Sequence, residues 1–398
     1  MYRLTPSTQA YAWGSTTAIP DLLSLVPDGH PVAEAWFGAH PSAPALAHVD
    51  GSPVRLDAVI AADPEETLGA DVASRSENRL PYLLKIIAAA SPISLQVHPS
   101  IQRARVGYEL EDAAGTPLDA RERSYRDRNH KPELVYALTR FDAMVGFRAP
   151  RRAAELLVGL DTPLAAELRA RLVADPAQSG VRAAFEWLVS PGTRPGIDEV
   201  QAFADACAKR LVDGSPSPRT DRTVIRLAAA YPGDAGAVTS VLLNPVTLRP
   251  GEAVFVPAGT VHAYLHGVGV EIMANSDNVL RAGLTQKHID LPELLVNLDA
   301  VAAPPIRIAP ERVFTSTEIY YAPVDDFELS VTRLTDEGVA RIPGRGPRVL
   351  LCLEGEVEVH TERNGTLSLC RGQAAFAPAG EGAVTAWGDG VLVQADVP

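Results

Sequence analysis

Gln96 and His98 stand two residues apart in the segment Ile93–His98, where Ile93, Leu95 and Val97 alternate with Ser94, Gln96 and His98. That is the period of a half-buried strand, and it puts the amide and the imidazole on one face, within reach of one ion. Glu133, in NHKPELVYAL, offers a carboxylate next to Pro132, which biases Lys131 toward an extended backbone. His262, in VPAGTVHAYL, offers a second imidazole just after a turn; His266 follows four residues on, with an orientation that alternation does not decide. Singly, each has a plain structural reading, a strand end before Pro99 for His98 and a solvated strand start for Glu133. Together, one amide oxygen, two imidazoles and one carboxylate would leave a divalent ion with about one net positive charge and an open coordination position. That suits Lewis-acid catalysis rather than a closed structural site. The donor types favour zinc, one ion per chain, with iron and manganese open as alternatives.

A second cluster follows in GVEIMANSDNVLRAGLTQKHID (Gly269–Asp290), which carries Glu271, Asn275, Asp277, Asn278, Arg281, Thr285 and Lys287. Much of such a run can be a solvated loop. The functional reading is a cleft wall that presents cations to an anionic substrate.

The elements that must position these groups fall into three stretches. As far as about Phe147 the chain reads mainly as strands and loops punctuated by Pro and Gly, with a second strand candidate in ELVYAL from Glu133. From about 150 to 238 the period becomes helical: Leu156, Leu157, Leu160, Leu164, Leu168 and Leu172, then Ile197, Val200, Ala204, Cys207 and Leu211. Strand-like sequence then resumes and runs to the C-terminus, with a hairpin turn at Asn364-Gly365.

The later β stretches contain a repeat. GEAVFVPAG (251–259) aligns with GQAAFAPAG (372–380) at a constant offset of 121, matching Gly, Ala, Phe, Pro, Ala and Gly. A glycine turn, an apolar strand and a Pro-x-Gly turn fit a small jelly-roll barrel of the cupin type. In the second copy Ala383 stands where the first has His262, so only the first can hold an ion through that position. The expectation is a mainly β protein with an inserted α domain: duplicated cupin-like jelly-roll barrels, the catalytic one formed by 1–149 and 239–319, the helical domain by 150–238, and a degenerate C-terminal barrel by 320–398.

Composition limits the function classes. The 398 residues are 46% hydrophobic and 21% charged, ordinary globular usage. A net charge of −13 argues against a nucleic-acid or anionic-membrane surface, which needs clustered Lys and Arg. The three cysteines, Cys207, Cys352 and Cys370, form no C-x-x-C pair, so neither a disulfide framework nor a cysteine zinc site is expected. No secretory signal is visible, and the most apolar run, Leu80–Val97, is interrupted by Lys85, Ser91, Pro92, Ser94 and Gln96. A cytoplasmic protein is expected.

Four blocks in order, LPYLLKIIAAASPISLQVHPS, NHKPELVYAL, VFVPAGTVHAYLHGVGVEIMANSDNVLRAGLT and QKHIDLPELL, closely resemble the type I phosphomannose isomerases, and YAWGS and AEAWFGAHP extend the resemblance toward the N-terminus. The resemblance implies zinc held by Gln96, His98, Glu133 and His262 and a catalytic role for Arg281. It also implies a substrate pocket lined by Lys85, Ser94, His130, Lys131, Glu271, Asp277 and Lys287. The implied reaction interconverts mannose 6-phosphate and fructose 6-phosphate through a cis-enediolate, upstream of GDP-mannose formation, by a chain expected to act as a monomer. Glu271, Asp277, Lys131 and His98 are candidates for the base, His98 least comfortably because a metal would occupy its lone pair. The sequence departs from the family pattern at Ser100-Ile101, where many members carry Asp-Lys, and at Gln286, where many carry Pro. The missing lysine leaves phosphate binding open, with Arg103 or Arg105 as substitutes. Competing readings are another metallo-cupin enzyme, such as an oxygenase, and a non-catalytic sugar-phosphate-binding protein; the Arg/Lys-bearing cleft wall argues against the first.

Overall fold

The computed structural model describes residues 1–335 and 338–398. Among them two eleven-stranded sheets form. The first runs in the order Ile306–Ile308, Ala253–Val256, Glu133–Ala137, His262–Ala274, Tyr82–Ala89, Glu34–Gly38 and Ser7–Gln9. Leu243–Leu248, Phe141–Phe147, Leu95–Val97 and Leu280–Gly283 branch from it. His262–Ala274 is the hub: its C-terminal part lies between Tyr82–Ala89 and Glu133–Ala137, and its first residue pairs with Gln96 and Val145. One long strand therefore carries both His262 and Glu271 and brings the other site strands beside them.

The alternating segment shortens in the structure. Only Leu95–Val97 is strand, and Ile93 lies in a different apolar cluster from Leu95 and Val97. The first stretch also holds more helix than its loop-like sequence implied, chiefly Ile101–Ala113. No apolar stripe announces this helix because it packs through small residues, Ala104 and Gly107. A Cβ on Gly107 would lie 2.2 Å from the Tyr125 ring.

The helical segment is as its period implies. Helices Pro150–Leu156, Pro163–Ala174, Gln178–Val189, Ile197–Gly214 and Pro218–Ala230 follow one another. Thr162 caps the second through its hydroxyl, which accepts from the Ala165 N–H at 3.1 Å, ahead of a proline that has no N–H to leave unpaired. The leucine stripe closes one core that includes Leu95, Val97, Val261, Ala263 and Leu280 from the site strands. Ile197, read as part of a buried stripe, is instead exposed in the first turn of its helix.

The second sheet holds the C-terminal strands Glu328–Leu334, Val384–Asp396, Arg348–Thr361 and Ala374–Ala377, and continues into Tyr2–Thr5, Leu46–Val49 and Ser52–Arg55. The sheet thus crosses the boundary expected at 320: Tyr2 pairs with Phe376 and Leu4 with Ala374. The repeat is visible in three dimensions. Strands Ala253–Val256 and Ala374–Ala377 correspond, each is followed by a thirteen-residue strand, and Gly267 and Gly388, 121 apart, both bend at positive φ, 129° and 115°. Phe255 and Phe376 are buried in the one core between the two sheets. Inside the second barrel Leu350, Cys352, Val357, Val359, Leu369 and Leu392 form an apolar filling.

Truncating Phe376, which is 0% exposed, to alanine is expected to cost about 3–5 kcal/mol, read as a lower denaturation midpoint. Val212→Ala, at a side chain 87% exposed, should stay within about 0.5 kcal/mol.

Candidate metal centre

Three buried side chains from distant strands meet. His98 Nε2 lies 3.1 Å from Glu133 Oε1, and His262 Nε2 lies 3.3 Å from Glu133 Oε2. Their donor atoms all fall within 4.8 Å of one another, and no other such His/Cys/Asp/Glu group occurs among the described residues. Each ring is fixed from behind. His98 Nδ1 donates to the Asn278 carbonyl at 2.8 Å, and His262 Nδ1 donates to the Thr260 carbonyl at 3.0 Å. A carbonyl only accepts, so Nδ1 carries the proton in both rings and each Nε2 presents a lone pair. Two lone pairs aimed at one carboxylate repel it unless a cation lies between them, and His98 Nε2, though close to Glu133, makes no hydrogen bond. These donors fit a divalent ion, with the backbone carbonyls supplying the orienting contacts such histidines need. Gln96 Nε2 lies 3.2 Å from His262 Nε2; with the two ends of its amide exchanged, Oε1 becomes the fourth donor.

Protonation states agree. Burial lowers His98 to about 4 despite the neighbouring Glu133, which keeps the ring neutral near pH 7. Burial alone would raise Glu133, but the Lys131 ammonium beside it opposes this and holds the carboxyl below the usual carboxylate range.

Around the triad runs a buried charged network. Lys131 Nζ lies 3.2 Å from Glu133 Oε1. The Tyr264 hydroxyl lies 3.0 Å from Glu133 Oε2 and 2.8 Å from Glu271 Oε1. Lys85 Nζ binds Glu271 at 2.5 Å and Glu34 at 3.4 Å, and Trp36 Nε1 donates to Glu34 at 2.8 Å. Sheet register explains the order: Trp36 is opposite Lys85, Lys85 opposite Glu271, and Glu133 opposite Met273, so these residues share one face. Burial opposes the charge on Lys85, but Glu271 and Glu34 outweigh it and keep the ammonium protonated.

The remaining expected residues divide. Arg281 pairs through its backbone with Gln96, is half-buried, and forms no ion pair among the described residues. Ser94 Oγ is 3.5 Å from Gln96 Oε1. Asp277 Oδ1 meets His40 Nε2 at 3.4 Å, and Lys287 Nζ sits 5.7 Å from the centre of the Tyr11 ring. His130 Nε2 meets Asp326 Oδ2 at 2.9 Å. Arg103 is engaged by both carboxylate oxygens of Glu293, and His266 is exposed. A cavity of about 1110 Å³ is lined by His40, Asp277, Arg126, His130 and Arg105 among others, and includes neither the triad residues nor Arg281, Lys85 or Lys287.

Sequence reasoning missed Tyr264, Glu34, Tyr11 and Arg126. Tyr264 had a signal, since it stands two residues from His262 on one strand and so shares its face. Glu34 and Arg126 had none, because their place depends on sheet order and loop anchoring.

A sheet-built fold, a duplicated jelly-roll pattern and a buried His-Glu-His group define a metal-binding protein of the cupin type. Residues 1–150 match the family model described as phosphomannose isomerase type I, catalytic domain. The chain is 40% identical over 399 residues to mannose-6-phosphate isomerase of Escherichia coli (strain K12), covering 99% of both, and 39% identical to that of Salmonella typhimurium, again 99% of both. It also superposes on mannose 6-phosphate isomerase from Salmonella typhimurium bound to fructose 6-phosphate and zinc, with a TM-score of 0.90, 38% identity, and 100% and 99% of the two chains covered. The chain belongs to the type I phosphomannose isomerase family.

Elemental analysis should find one equivalent of divalent metal per chain. His262→Ala should lose it while the far-UV helix signal persists, and anomalous scattering should place no ion in the C-terminal barrel, where Ala383 replaces the histidine. Full metal content in the His262→Ala variant would overturn the assignment.

Proposed function

We propose that the chain interconverts mannose 6-phosphate and fructose 6-phosphate, using one zinc held by Gln96, His98, Glu133 and His262. The observation that carries this is the convergence of two Nδ1-anchored histidines on one buried carboxylate, in a chain similar over its full length to such isomerases. Zinc, when bound, supplies a Lewis acid for the sugar carbonyl.

The protein groups manage protons and charge. A base removes the C2 proton as the C1 carbonyl gains negative charge; returning a proton to C1, with a second passing from O2 to O1, leaves the carbonyl at C2. Arg281 is the group assigned to the developing negative charge: it lies beside Gln96 and no protein carboxylate neutralises it among the described residues. Glu271, held by Lys85 and Tyr264, is assigned a positioning role, and Lys131 fixes the Glu133 carboxylate. Asp277, which lines the cavity and is paired with His40, is our assignment for the base. Lys85, Ser94 and Lys287 complete the substrate-binding set; His130 acts through the cavity wall it shares with Asp326.

We assign the catalytic unit to 1–149 and 239–319, with 150–238 inserted and 320–398 as a barrel completed by the N-terminal strands. We take the chain to act as a monomer. Among the described residues no helix is long and apolar enough to cross a membrane, and we assign the protein to the cytoplasm.

In a coupled assay with mannose 6-phosphate, chelation should abolish turnover and zinc should restore it; full activity in metal-free protein would sink the reading. Arg281→Ala should lower kcat by about two or more orders of magnitude, the scale of one positioned electrostatic group, with a much smaller change in KM. A large rise in KM with kcat intact would instead make Arg281 a phosphate ligand.

A further inference from the structure

An isomerase working at C1 and C2 must hold the phosphate at the far end of a six-carbon chain, and a phosphate needs cations that no protein carboxylate already occupies. Most basic groups near the centre are taken. Lys85 is bound by Glu271 and Glu34, Lys131 by Glu133, Arg103 by Glu293, and Arg123 by Glu111 and Asp112. Arg126, Arg281 and Lys287 have no ion pair among the described residues. Arg281 and Lys287 feel their cationic neighbours: burial and then Arg126 lower Arg281, and burial followed by Arg281 and Arg126 lowers Lys287.

Of the three, Arg126 is the one that lines the large cavity beside His40 and Asp277. Its Nη1 donates to the Leu118 carbonyl at 3.1 Å, which leaves Nε and Nη2 without partners among the described residues. The backbone around it is fixed by one fully buried residue. Asn278 Oδ1 accepts from the N–H groups of Arg126, at 2.7 Å, and Asp127, at 3.2 Å. Asn278 Nδ2 donates to the carbonyls of Asp127, at 2.9 Å, and Asn129, at 2.8 Å. The main-chain carbonyl of the same Asn278 holds His98 Nδ1.

We propose that Arg126 binds the 6-phosphate of the substrate, and that Asn278 positions it at a fixed distance from the metal ligands. The proposal rests on the isomerase reading above. Arg126 takes the part left open by Ser100-Ile101, since Arg103 is committed to Glu293 and, unlike Arg105, Arg126 is held by Asn278 and lies close enough to Arg281 and Lys287 to act on their charge.

The test uses the zinc-loaded full chain with two probes, mannose 6-phosphate in steady-state kinetics and inorganic phosphate in calorimetry. Arg126→Ala should raise KM about 10- to 100-fold, the scale of one or two charge-assisted hydrogen bonds, and weaken phosphate binding by a similar factor, with kcat within about twofold. Arg126→Lys should recover part of both losses. Arg152→Ala, at an exposed position of the helical insert, should change neither. Asn278→Ala should mimic Arg126→Ala while keeping its metal, because the main-chain carbonyl to His98 remains. Adding it to Arg126→Ala should cost little more, as two changes on one route are not additive. Unchanged KM and phosphate binding in Arg126→Ala, or a fall in kcat at constant KM, would overturn the role of Arg126. Fully multiplying effects in the double variant would overturn that of Asn278. If the wild-type chain fails to turn over mannose 6-phosphate, the isomerase reading itself falls, whereas calorimetry still reports whether Arg126 holds phosphate.

Discussion

Two imidazole lone pairs pointing at one buried carboxylate are an unfavourable arrangement without a cation, and the rest of the structure serves to hold them there. The Nδ1 hydrogen bonds from His98 to Asn278 and from His262 to Thr260 fix both rings in the metal-binding tautomer. Burial keeps the His98 ring neutral, and Lys131 and Tyr264 hold the carboxylate in place. Removing any of these supports would free a ring or a carboxylate to relax away from its neighbours.

Larger elements answer the same demand. Strand His262–Ala274 ties the triad to Glu271 and Lys85 by register, so a shift of one residue would turn His262 and Glu271 to the opposite face. The helical insert packs its leucine stripe under Leu95, Val97, Val261 and Leu280, which makes it the floor on which the short metal-bearing strand rests. The C-terminal barrel has lost the histidine of the repeat and filled its interior with aliphatic side chains. It contributes through the shared core that joins Phe255 to Phe376.

Charge is distributed unevenly enough to matter for function. The chain is acidic overall, yet Arg126, Arg281 and Lys287 gather at the site without carboxylate partners among the described residues. Close like charges of this kind destabilise a fold unless an anion relieves them, so the cluster favours an anionic ligand in the region where the reaction requires one. An acidic surface and a cationic pocket are compatible because solvent and salt screen charges more than about 10 Å apart.

Period and motif alone made several features legible: the leucine stripe of the insert, the strands around Gln96 and from Glu133, the repeat with its Ala383 for His262, and His98, Glu133 and His262 as donor types for a metal. The stripe and the strands depend on neighbours two, three or four residues away, which the backbone places the same way in any context. The tertiary structure decided what depends on partners far along the chain. Arg103 is claimed by Glu293, His130 faces Asp326, and Tyr2–Thr5 completes a sheet made mostly of residues beyond 310. Ile101–Ala113 is a helix that buries only small side chains. Strand pairing and ion pairing are choices among many competent partners, and no local pattern marks the one selected. That choice is made by the packing of the whole chain.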